Sequence, residues 1–141
     1  MNLTVVDYSD FYFGSVLEIP LPARRGGKLV VVTNGSQRYA VFSPRGLSAY
    51  HASIVERFLR QQGVEGRYDP RGEVFRFDSR DWAVEGGAHW TLDDATGVLN
   101  LFGHSQAYGS LDLSKLAQEL AGTGAFSVVV SSGTPHAGTK A

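Results

Sequence analysis

The chain has 141 residues, 43% of them hydrophobic, which suits one domain with a filled core. It contains no cysteine, which excludes a disulfide framework, a thiolate metal site and a thiol nucleophile. Thirteen basic and 14 acidic residues leave a formal charge of −1, too little to draw the whole molecule onto nucleic acid or an anionic membrane, so any anion specificity must be local.

The first seven residues lack the basic start and apolar stretch of a secretory signal. No apolar run approaches the roughly 20 residues needed to cross a bilayer, and a cytoplasmic location without membrane partners is expected. Residues 16–21 and 28–33 are short runs rich in branched side chains, separated by Pro22, Arg24, Arg25, Gly26 and Gly27, the pattern of two strands and a loop. Asn34-Gly35-Ser36 then offers a tight turn into a strand over residues 37–42.

After Pro44 the period changes. Leu47, Tyr50, Ile54, Phe58 and Leu59 recur at helical spacing and Gly63 supplies a stop, predicting a helix over about 45–62. Both Ser43 and Ser48 suit its amino-terminal cap. Residues 73–78 alternate as a half-buried strand, and residues 88–92 and 98–102 form a hairpin around Asp93-Asp94-Ala95-Thr96-Gly97. Leu111, Leu113, Leu116 and Leu120 mark a second helix ending near Gly122 and Gly124, before a last strand over 126–130. The sum is an α+β domain over residues 1–130, with a mixed, largely antiparallel sheet of about six strands and two helices packed on it. Residues 131–141 read as a flexible carboxy-terminal tail.

Two segments carry chemistry. His51 falls near the start of its helix, where free backbone amides and the positive end of the dipole favour an anion and disfavour imidazolium. A neutral imidazole there can take a proton from water; the spacing from Leu47 and Ile54 equally suits a histidine edging the core. The second segment, Gly103-His104-Ser105-Gln106-Ala107-Tyr108-Gly109, is a glycine-flanked turn between strand and helix. Such a turn can aim amides and the Ser105 hydroxyl at one phosphate, or simply turn the chain.

Other readings are weaker. His51, His89 and His104 match no zinc spacing, so no metal is expected, and His136 lies in the tail. Asp93-Asp94 belong to a hairpin tip. Arg24, Arg25 and Lys28 form a small solvated basic group without the interleaved aromatics that nucleic-acid binding requires. A Walker loop, a dinucleotide fingerprint and a nucleophile elbow are all missing.

Tyr50-His51-Ala52 and Phe102-Gly103-His104-Ser105-Gln106-Ala107-Tyr108-Gly109 together resemble the Tyr-His-Ala and aromatic-Gly-Xaa-Ser-Xaa-Ala-Tyr-Gly motifs of the Janus/Ocnus family, best known for small protein-histidine phosphatases. The likeness runs from roughly Phe13 to Val130, and Gly86-Gly87 resembles the family's glycine cluster. It implies a mixed six-stranded sheet with two helices, His51 as catalytic base, and phosphate held by Ser105, Gln106 and Ala107. The chain departs from the pattern in three ways. The family's lysine, early in the first core strand, falls here on Gly14 or Ser15; its arginine after the glycine cluster falls on His89. Residues 64–84 look like an insert at the rim. Arg45, or Arg24 and Arg25, would have to supply the missing charge.

The expected function is therefore a metal- and cofactor-independent hydrolase of phosphorylated protein side chains, phosphohistidine favoured. The alternative is a module that binds phosphate, a small anion or a phosphoprotein without turnover. A third possibility, an interaction domain with no anion site, depends on surface exposure.

Overall fold

The computed structural model describes residues 2–131. Among these residues, the elements in chain order are β1 (Asn2–Asp7), β2 (Arg24–Asn34), β3 (Gln37–Pro44), α1 (His51–Gln61), β4 (Gly66–Tyr68), β5 (Phe75–Phe77), β6 (Trp82–Asp93), β7 (Val98–Phe102), α2 (Leu113–Thr123) and β8 (Val128–Ser131). One six-stranded sheet runs β1-β3-β2-β6-β7-β8. Its inner pairs are antiparallel, while β1 joins β3 and β8 joins β7 in parallel. Strands β4 and β5 form a separate antiparallel pair. The fold is α+β, with a mixed, mostly antiparallel sheet and two main helices, as the sequence predicts.

The centre of β2 explains how the helices are placed. Leu29, Val30, Val31 and Val32 are all fully buried, and an uninterrupted apolar run belongs to a strand covered on both faces. Leu29 and Val31 pack with Leu113, Leu116 and Leu120 of α2. Val30 and Val32 pack with Ile54, Val55, Phe58 and Leu59 of α1. The helices therefore lie on opposite faces of the sheet. Asp112 caps α2 by accepting from the Lys115 amide at 3.1 Å, and Gly124, with φ 76°, ends it in the left-handed conformation.

Several elements differ from expectation. Residues 16–21 are not a strand: Phe11–Val16 form a π-helical turn, and Val16, Leu17, Ile19 and Leu21 stay exposed. Pro20 and Pro22 lack the amide that an inner strand needs. Strand β1 was unforeseen; it finds its partner only in β3. Helix α1 starts at His51 rather than near residue 45, because β3 continues through Pro44. Neither expected serine caps it, since Ser43 and Ser48 hydrogen-bond to each other through their hydroxyls at 2.7 Å inside the protein. Ser131, placed in the tail by sequence, closes β8, and residues 132–141 lie outside the described residues. No helix among the described residues is long and apolar enough to cross a membrane.

Candidate functional site

Tyr50 holds extended backbone angles, φ −134° and ψ 156°, so the helix begins abruptly and His51 occupies its first position. Across the sheet, the β2·β6 register shifts between Val31 and Val32, beside the Val31–Gly86 pair, and the next residue, Gly87, faces His51 at the start of α1. Gly87 is where the two chemistry-bearing segments meet. A methyl group there would lie 2.6 Å from His51 Cδ2, 2.8 Å from Ser105 Cβ and 3.0 Å from the Leu29 carbonyl oxygen. Only a residue without a side chain lets the ring and the turn approach this closely. The Gly87 amide also donates to the Gly109 carbonyl at 3.1 Å, fastening the turn to the sheet.

His51 is 7% exposed, and its Nε2 lies 2.9 Å from the Ala88 carbonyl oxygen. A carbonyl only accepts, so Nε2 carries the proton and Nδ1 keeps its lone pair. The Cδ2–Nε2 edge faces β6, which leaves Nδ1 on the edge turned away from the strand. Burial pushes the imidazolium pKa down to about 4, aided by the positive charges of His89, Lys28 and His104 and opposed by the Ala88 contact. At neutral pH this ring is uncharged.

His51 opens onto a cleft of about 990 Å³. Lys28 of β2, His89 of β6 and Phe102 of β7 stand in register across three neighbouring strands and line its floor. The His89 ring stacks on Phe102, with centroids 5.5 Å apart and planes 19° from parallel, and meets His51 edge-on at 5.4 Å. Its pKa is lowered by burial first, then by Lys28, Arg45 and His104. Neither Lys28 nor Arg45 has a carboxylate partner among the described residues. The one acidic residue among the described lining residues, Glu73, sits at the rim, 4.0 Å from the Arg71 guanidinium.

The structure gathers His51, His89, Ser105, Gln106 and Ala107 around this cleft. Ser105, however, is more committed than its motif suggests. Its amide donates to the Gly109 carbonyl at 3.2 Å, and its hydroxyl oxygen accepts from the Tyr108 amide at 3.0 Å. Its hydroxyl proton, and the amides of Gln106 and Ala107, have no acceptor among the described residues. Arg45 is exposed and outside the lining, near enough for its charge to act on His89. Arg24 and Arg25 are spent elsewhere, paired with Asp93 at 3.3 Å and Asp94 at 2.7 Å.

Two sequence readings need correction. Gly14 and Ser15 lie in the exposed π-helical turn and belong to no strand; the lysine that lines the cleft is Lys28, which stands early in β2, the strand that begins the antiparallel core. Read as solvated, it is half-buried; only the register with His89 reveals its face. Residues 71–74 of the expected insert do form part of the cleft wall. Tyr108 ties them to the turn: its hydroxyl accepts from the Phe75 amide at 2.9 Å and donates to the Phe75 carbonyl at 3.0 Å. No group of three or more His, Asp or Glu among the described residues is arranged to hold a metal, and His136 lies outside them. No protein-family model matches the chain, and no curated protein matches it.

Proposed function

We propose that the cleft receives a phosphoryl group and that the protein hydrolyses phosphorylated protein side chains, with phosphohistidine favoured by the Janus/Ocnus resemblance. The observation that carries this reading is the Gly87 contact, which sets a neutral imidazole of fixed tautomer against a turn with free amides. Water attacks phosphorus in line with the leaving nitrogen or oxygen, and His51 Nδ1 takes its proton. The bond to the leaving group breaks and that atom departs with the electron pair. The amides of Gln106 and Ala107 and the Ser105 hydroxyl donate to the equatorial oxygens, where preorganised donors act most strongly. Lys28 supplies a permanent positive charge to a group that arrives as a dianion.

The test is release of phosphate from a phosphohistidine-bearing protein. His51→Ala is expected to lower the rate by about 10²–10⁴-fold, the usual worth of a general base; equal rates for parent and variant refute the assignment. A second reading, binding without turnover, is favoured by the lowered pKa of His89, which leaves Lys28 as the main cation on the floor of the cleft. That reading expects phosphate to raise the melting temperature while release stays at background.

A further inference from the structure

We propose that His89 is the titratable cation of the cleft, taking up a proton when a dianion binds, so that anion affinity is coupled to pH. This rests on the phosphoryl-pocket reading above and adds to it how the site is regulated.

The groups facing His89 come from every element around it. Lys28 lies beside it on β2 and Phe102 stacks on it from β7. His51 meets it from α1, Arg45 acts from the turn before α1, and His104 acts from the loop after β7. Gly103, with φ 74°, leaves room for the ring; a methyl group there would lie 2.7 Å from His89 Cδ2. None of these neighbours is a carboxylate, and neither His89 ring nitrogen has a hydrogen-bond partner among the described residues.

His51 and His89 therefore differ in kind, although they touch. The first has one nitrogen fixed by a backbone carbonyl and is nearly sealed; the second is half-buried with both nitrogens free. Lys28, Arg45 and His104 disfavour a proton on His89. A dianion beside it reverses the sign of the local field, since opposite charge within a few ångströms favours the charged imidazole. Binding and protonation then reinforce each other, and the reciprocity is obligatory. Affinity is highest below the free-protein pKa of His89, falls with rising pH until the bound-state pKa is passed, and is level beyond it.

Sulfate is the probe, because its charge does not change over about pH 5.5–8, whereas phosphate itself titrates there. Calorimetric titration in buffers of different protonation enthalpy reads affinity and proton uptake together. Parent protein is expected to lose affinity by up to about tenfold per pH unit at the steepest point, with uptake approaching one proton. His89→Arg, carrying a permanent charge, is expected to bind with a flat profile, and His104→Gln to keep the parental slope. A flat parental profile, a slope that survives in His89→Phe, or a slope lost in His104→Gln overturns the proposal while leaving the pocket intact. Failure of parent and His89→Arg alike to bind sulfate at any pH removes the pocket itself, and the proposal with it.

Discussion

Charge is handled in opposite ways on the two faces of the sheet. On the α2 face Arg38 is 5% exposed, yet its guanidinium donates twice to Glu85, at 2.8 Å each, and again to Glu119. On the α1 face Lys28 and Arg45 approach His51 and His89 with no carboxylate among the described residues to balance them. A buried cation that serves folding needs a partner, because desolvation is costly and only pairing offsets it. Cations left unpaired beside imidazoles of lowered pKa add nothing to folding. Such an arrangement is what the proposed anion site requires, since a bound anion would supply the missing negative charge.

The largest expected effect exploits the sealed imidazole. The folded-state pKa of His51 lies near 4, below the ordinary 6.5, so its contribution to stability is intact above about pH 6.5. As pH falls, the unfolded chain takes up the proton first, and stability declines through the window from about 6.5 to 4. The loss approaches 3 kcal/mol, on the order of 1.4 kcal/mol for each pH unit between the two pKa values. His51→Phe, which cannot titrate, is expected to lose less stability between pH 7 and 4 in urea unfolding. Equal losses in both proteins refute the claim that this ring is buried uncharged.

Next in size is a direct test of the two-face contrast. Removing one partner of a buried ion pair costs about 3–5 kcal/mol, and the partial exposure of Glu85 brings the expected cost of Arg38→Met to about 2–3 kcal/mol. Lys28→Met is expected to change stability by less than about 0.5 kcal/mol, since it breaks no ion pair. Sulfate affinity should respond the other way, falling about tenfold or more in Lys28→Met and staying constant in Arg38→Met. If both substitutions destabilise alike, the contrast between structural and functional charge fails.

How much of this was legible in the sequence follows from the range of the interactions involved. The helices showed through their periodicity, and the 93–97 hairpin showed through its turn residues, because those signals are local. The positions of the two motif segments were readable for the same reason: a histidine near a helix start and the glycine-flanked Gly103–Gly109 turn are each defined within a few residues. Strand β1 was not, since its strand partner, β3, lies beyond an intervening π-helical turn and strand. Lys28 looked like part of a solvated cluster because Arg24 and Arg25 precede it; the register along β6 decides that they meet Asp93 and Asp94 while Lys28 meets His89. The commitment of Ser105 to Gly109 and Tyr108 likewise depends on loop closure, which composition does not encode.

A smaller stability loss than that of Arg38→Met is expected at Gly87, where function should suffer more than folding. Its backbone lies in β6 without positive φ, so alanine is conformationally allowed and gains up to about 1 kcal/mol from a stiffer unfolded chain. Against that, the added methyl meets His51 Cδ2 at 2.6 Å and the Leu29 carbonyl oxygen at 3.0 Å. The carbonyl belongs to the central strand and His51 is held by Ala88, so neither yields freely. Overpacking of this kind costs about 1–3 kcal/mol, and the net loss for Gly87→Ala should be about 1 kcal/mol. The ring and the Ser105 turn must separate to admit the methyl, which moves the proposed base away from the proposed phosphoryl donors. Displacements near 1 Å in such a site reduce turnover by about a hundredfold. Phosphate release should therefore collapse in a protein that still unfolds cooperatively close to the parental midpoint. Parental activity in Gly87→Ala would show that the contact between the two segments is packing alone, and the contrast between the faces would then rest on Lys28 and the histidines without any catalytic geometry.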